Sequence, residues 1–161
     1  MDPGRFFDES AVAARLLGRR ALLLMGRNPP PANLSKEVFA ADYAPYSRVF
    51  PQSACIVHQG GVGTTAQALR AGVPQLLMPY AFDQPDNAAR VIRIGAGLWL
   101  SRQRYRAERA AKKLNRLLAT ATYDERASEV GRRVGRENGA SVACDTVERA
   151  MAALCQSAAS G

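Results

Sequence analysis

Residues 54–65 read Ala54-Cys55-Ile56-Val57-His58-Gln59-Gly60-Gly61-Val62-Gly63-Thr64-Thr65, a short apolar run that passes at once into a glycine cluster. The run, 54–57, has the length and composition of a buried strand. Residues 64–71 carry the apolar spacing of a helix, and Gly72 stops it. Strand, glycine turn and helix in this order bring unpaired N–H groups and the positive end of a helix dipole to one place, a seat for an anion. Gly60, Gly61 and Gly63 let the backbone come close to such a ligand, and Thr64 and Thr65 add hydroxyl donors. His58 closes the strand. It can donate to a phosphate oxygen or satisfy a backbone carbonyl, and at the carboxyl end of a strand beside an anion-shaped loop the first role is expected.

The same alternation extends in both directions. Upstream, 6–19 is an amphipathic helix, 21–25 a strand ended by Gly26, 26–31 a proline-rich loop, 38–41 a second strand and 45–50 a helical turn. Downstream, 75–78 is a strand closed by Pro79 and 85–94 a helix with Pro85 in its first turn. The last strand is 97–100, and helices follow near 106–119, 123–136 and 141–156. Strands of this length alternating with helices predict an α/β fold, a parallel sheet with helices on both faces. The chain opens with a helix where such a fold normally opens with the strand at the sheet centre. A sheet lacking that first strand would have a long unpaired edge or a hole in its middle, and marginal stability or dimerisation would follow. Residues 1–157 read as one domain and 158–161 as a frayed tail.

Composition narrows the function classes. The 161 residues are 47% hydrophobic and 22% charged, which suits a folded domain with a real core. The longest apolar run, 21–25, is too short to span a bilayer, and no secretory h-region stands at the N-terminus, so a cytoplasmic location is expected. Cys55, Cys144 and Cys155 are odd in number and scattered, which argues against a disulfide framework or a zinc site. The net charge of +8 comes almost wholly from arginine. Its densest run, 102–116, falls at helical spacing as a solvated face, with Ala110, Leu114, Leu117 and Leu118 turned inward. Without interleaved aromatics to stack on bases, the pattern does not read as a nucleic-acid surface. It leaves room for contact with an anionic membrane or with a nucleotide's phosphates.

Three phosphate-binding patterns compete for the glycine cluster. A Walker loop needs Gly-Lys-Ser/Thr, and no lysine is near. Residues 61–66 match the relaxed dinucleotide fingerprint G-x-G-x-x-G/A, with Asp83 downstream. That fingerprint, however, normally follows the first strand, whereas here at least two strands precede it, and Asp83 lies beyond a strand end rather than at it. The third pattern joins the cluster to the next strand-to-helix loop. There Asp83 and Gln84 stand on the same carboxyl edge and offer acceptors and a donor suited to sugar hydroxyls. Phosphate donors beside hydroxyl acceptors describe a nucleotide sugar.

His58-Gln59-Gly60-Gly61-Val62-Gly63-Thr64, Gly72-Val73-Pro74 and Asp83-Gln84-x-x-Asn87-Ala88 together resemble the donor signature of UDP-glycosyltransferase-like enzymes of the two-domain GT-B type, a family that includes sterol, macrolide and glycopeptide glucosyltransferases. The resemblance covers residues 5–150. It implies the C-terminal, Rossmann-like half of that fold. The implied chemistry is inverting, metal-independent transfer of a hexose from a UDP- or dTDP-sugar to a hydroxyl of a small lipophilic acceptor, with no cofactor. By the same resemblance His58, Gly60, Gly61, Gly63, Thr64 and Thr65 hold the diphosphate, Asp83 and Gln84 contact the sugar, and Tyr43, in Tyr43-Ala44-Pro45-Tyr46, packs on the base. The catalytic base and the acceptor site belong to an N-terminal domain or a separate subunit, so this chain contributes no catalytic residue and is expected to transfer nothing alone. Where many relatives have a ribose-binding glutamate, this chain has Ala66 with Gln67 beside it. Relatives also begin this domain with a strand and a Gly-Ser loop, and this chain starts just after them. A dinucleotide domain of an oxidoreductase and a non-catalytic nucleotide-binding module are the alternatives.

Overall fold

The computed structural model describes residues 3–159, with side chains through residue 153. Its elements run α1 (Phe6–Leu16), β1 (Ala21–Leu24), β2 (Val38–Ala41), α2 (Tyr46–Val49), β3 (Ile56–His58), α3 (Val62–Ala71) and β4 (Gln75–Leu77). Then come α4 (Gln84–Arg93), β5 (Gly97–Trp99), α5 (Ala107–Ala119), α6 (Ala121–Gly135) and α7 (Gly139–Ala159). Every element expected from the sequence forms, and the ends move for local reasons. α1 stops three residues early, because Gly18 N–H bonds back to Arg15 and Arg19 N–H to Ala14, closing the helix end. β3 starts later than expected and includes His58, since pairing begins where Ile56 N–H meets Pro74 and ends where His58 accepts from Met78. α7 runs to Ala159, so residues 158 and 159 of the expected tail are helical, and 160 and 161 lie outside the described residues.

The strands are all parallel but form two sheets, β1-β2 and β3-β4-β5. Of the two arrangements expected for a sheet without its first strand, this is the hole: among the described residues no strand bridges β1 to β3. β4 is the centre of the larger sheet, and its alternation divides the core. Leu76 faces α1 and α5, packing with Ala13, Met78, Leu100, Tyr105, Ala110 and Leu117. Leu77 faces the opposite side, against Ala88, Val91, Ala96 and Ala127 from α4, its following loop and α6. Helices therefore cover both faces, as the α/β reading requires. On β1, Leu23 packs with Ala11 and Ala14 of α1, while Leu22 and Phe39 on the other face stay exposed.

Two contacts lock the helices to this frame. A Cβ on Gly131 would lie 2.7 Å from Gly72 Cα and 3.1 Å from Leu69 O, so α6 crosses α3 at a distance only glycine permits. Glu9, buried in α1, accepts the N–H of Ala107 at 2.7 Å through Oε2, and its other oxygen is 3.1 Å from the Arg5 guanidinium. A carboxylate from one helix thus satisfies an orphan donor at the start of α5, where the helix dipole favours it.

Candidate functional site

The glycine cluster sits where the sequence puts it, between the carboxyl end of β3 and the start of α3. Gly61 is the N-cap, in extended conformation and without a side-chain cap. The first intrahelical acceptor bond from this end is Thr65 N–H to Gly61 O, so the N–H groups of Val62, Gly63 and Thr64 are left for an outside partner. Val62 and Gly63 are exposed and Thr64 is half-buried at the same lip. The Thr65 hydroxyl, by contrast, is enclosed and makes no hydrogen bond among the described residues.

Gly60 fixes the shape of the turn. Its φ of +90° is a backbone state that side chains rarely adopt, and an added Cβ would meet Gln84 O at 3.1 Å. His58 holds it there. The ring is only 5% exposed, its Nδ1 accepts Gly60 N–H at 3.0 Å, and its Nε2 lies 2.9 Å from Gln75 Oε1. An Nδ1 that accepts leaves the proton on Nε2, which donates to Gln75. Burial pushes the imidazole below its usual pKa, only partly opposed by the Gln75 bond, and the ring is neutral. The side chain thus supports the loop from beneath, with both nitrogens engaged inside the protein.

The loop after β4 lies against this turn. Asn87 Nδ2 donates to Gly60 O at 2.9 Å and to Asp83 Oδ2 at 2.7 Å, so one amide ties the glycine turn to the aspartate. Asp83 is exposed. Gln84 is buried, and its Oε1 accepts the N–H groups of Tyr80 at 2.8 Å and Ala81 at 3.3 Å, which folds the loop back on the helix start. Between them Phe82 takes φ +60°, unusual for a bulky residue, and is 87% exposed beside Asp83. The structure thus brings His58, Gly60, Gly61, Gly63, Thr64, Asp83 and Gln84 to adjoining loops on one sheet edge. Tyr43 stands apart, past the end of β2, 79% exposed and without a hydrogen bond or ring contact among the described residues.

Two members of this arrangement were not singled out as site residues from the sequence. Gln75 is fully buried in a strand that is otherwise apolar, and a polar residue in that setting signals a required partner. Asn87 falls four residues after Asp83, on the same helix face. Cys55, one residue ahead of β3, has its thiol pushed up to about 12 by burial and stays protonated.

Comparison with known proteins bears on the fold and the family. The family profile described as Erythromycin biosynthesis protein CIII-like, C-terminal domain, matches residues 23–149. O-mycaminosyltylonolide 6-deoxyallosyltransferase of Streptomyces fradiae is 39% identical over 141 residues, which are 87% of this chain and 33% of that protein. Sterol 3-beta-glucosyltransferase of Pichia angusta is 35% identical over 118 residues, 73% of this chain and 9% of that protein. Among solved structures, the glycosyltransferase of kitacinnamycin superimposes with a TM-score of 0.83 at 26% identity, over 92% of this chain and 40% of that one. CalG4, the calicheamicin glycosyltransferase, shares the fold with a TM-score of 0.82 at 23% identity, over 94% of this chain and 40% of that one. The chain spans a third or less of the length of these two curated relatives. It belongs to the EryCIII-like C-terminal domain family of glycosyltransferases.

Proposed function

We propose that this chain is the donor-binding half of a hexosyltransferase and holds a UDP- or dTDP-sugar along the carboxyl edge of β3 and β4. The observation that carries the reading is the join between two loops: the open N–H groups of Val62, Gly63 and Thr64 on one side, and Asp83 on the other, linked through Asn87 and Gly60. The helix start suits a diphosphate, because its unpaired donors and dipole both favour negative charge. The Thr64 hydroxyl adds a donor at the lip. Asp83, exposed and adjacent, accepts from sugar hydroxyls. His58 acts through Gly60 by fixing the turn, and Gln84 acts mainly by folding the loop that presents Asp83. Thr65 contributes to the helix start rather than to the ligand. Tyr43 packs on the nucleotide base from the neighbouring edge, which requires its loop to close over the ligand.

Transfer to a hydroxyl of a small lipophilic acceptor, with inversion and without a metal, is then completed by an acceptor-binding domain on the same or a separate polypeptide. That domain supplies the base, since the one histidine of this chain is committed beneath the glycine turn. Calorimetric titration with UDP, UDP-glucose, dTDP-glucose and NAD tests the reading. A sugar nucleotide is expected to bind more tightly than NAD, and the opposite order would return the chain to the dinucleotide-binding alternative.

A further inference from the structure

Left-handed backbone in this chain falls to glycine. Gly4, Gly18, Gly26, Gly60, Gly72 and Gly95 all have positive φ, and Phe82, at +60°, is the one other described residue that does. A bulky side chain there costs energy that glycine escapes. The aromatic ring gives the fold nothing in return, since it is 87% exposed and makes no ring or cation contact among the described residues. A lone exposed apolar residue is ordinary, but one held at a strained position is not, and such strain persists where a ligand uses it. Both flanks of Phe82 are fixed. The Arg102 guanidinium lies 4.2 Å from the centre of the Tyr80 ring, and the Tyr80 hydroxyl donates to Pro3 O at 3.2 Å. Gln84 Oε1 accepts from Tyr80 and Ala81, while Asn87 donates to the Asp83 carbonyl and to its carboxylate. Phe82 is the link between two tied segments. It also stands one residue from the join through which Asn87 connects Asp83 to Gly60.

We propose that Phe82 is a specificity-determining residue of the donor site, its ring the apolar platform on which one carbon–hydrogen face of the donor hexose packs. The inference rests on the donor-site reading above and extends it from the sugar's hydroxyls to its ring face. A pyranose is polar around its rim and apolar across part of its faces. An aromatic ring beside a carboxylate matches both, the carboxylate accepting from hydroxyls and the ring covering carbon–hydrogen surface that water would otherwise hydrate. The nucleotide base is flat and could use the same ring, but Phe82 adjoins Asp83, whose role in this reading is toward the sugar. A protein partner is a poor alternative, because it needs a contiguous apolar patch. Exposed Asp83, Asp86 and Arg90 follow Phe82 on the same loop and helix and interrupt one.

The test combines calorimetric titration with UDP and with UDP-glucose and thermal melts, on the intact chain and on Phe82→Gly, Phe82→Leu and Phe82→Tyr. Phe82→Gly releases the strained backbone and should raise the melting midpoint by about 2–4 °C. The same change should weaken UDP-glucose roughly threefold to tenfold and move UDP by less than about twofold. Phe82→Tyr keeps the ring and should bind UDP-glucose as the parent does. Phe82→Leu, apolar without a flat face, should fall between. A merely structural role would move stability and affinity in the same direction, so their opposite movement is the signature. Equal weakening of UDP and UDP-glucose, unchanged UDP-glucose affinity in Phe82→Gly, or affinity lost only in step with a lower midpoint would each overturn the proposal. A parent chain that binds neither nucleotide would instead sink the donor-site reading, and this inference with it.

Discussion

The imidazole of His58 holds Gly60 with one nitrogen and Gln75 with the other, and burial keeps it below the ordinary histidine range. The sign of the consequence follows from linkage. Above about pH 6.5 the ring is neutral in both folded and unfolded chains; below it the unfolded chain takes up a proton that the folded one resists, so stability falls as the pH drops toward the folded value. Denaturant midpoints at pH 7.5 and 5.5 should show this loss in the parent chain and a smaller one in His58→Gln. Asp83 gives a second residue-scale prediction. If its exposed carboxylate accepts from the sugar, Asp83→Asn should weaken UDP-glucose roughly tenfold while leaving UDP nearly unchanged, as a lost charged hydrogen bond would. Equal weakening of both ligands would place the residue's effect on the loop instead. The placement of Asp83 and the glycines was legible in the sequence because it is local, written into a turn and a loop. The inward turn of His58 was not legible, since it depends on Gln75, which comes from the next strand in the sheet.

Element order was readable almost in full, because periodicity and glycine or proline breaks mark each strand and helix. What periodicity does not carry is contact between distant elements. Glu9 caps α5 from α1, ninety-eight residues away in sequence. Glu9→Ala, which leaves the Ala107 N–H buried without a partner, should cost about 1–3 kcal/mol, whereas Glu9→Gln keeps an acceptor and should cost less. Thermal melts of the pair separate the bond from the charge. The crossing of α3 and α6 is a second hidden contact. Gly131→Ala drives a methyl into Gly72 backbone and should cost roughly 1–3 kcal/mol by forcing the helices apart. An unchanged melting midpoint would mean that the crossing relaxes freely.

At the scale of the molecule, the smaller sheet lies on α1 and the larger on α5, and these two helices pack on each other, but the sheets are not joined strand to strand. Among the described residues no helix is long and apolar enough to cross a membrane. The sequence anticipated a gap in the strand order; whether it is a hole or a bare rim depends on how α1 seats β1 beside the larger sheet, a tertiary contact that periodicity does not carry. Incubated with UDP-glucose and phenolic or sterol acceptors, the chain by itself is expected to form no glycoside, and robust product would contradict the proposal that the base comes from an acceptor-binding domain. The central claim concerns the carboxyl edge, and backbone amide NMR during titration with UDP-glucose tests it most directly. The account predicts saturable shifts at Val62, Gly63 and Thr64, with a second set at Asp83 and Asn87 that UDP alone does not produce. Shifts confined to other surfaces, or none at saturating ligand, would contradict it.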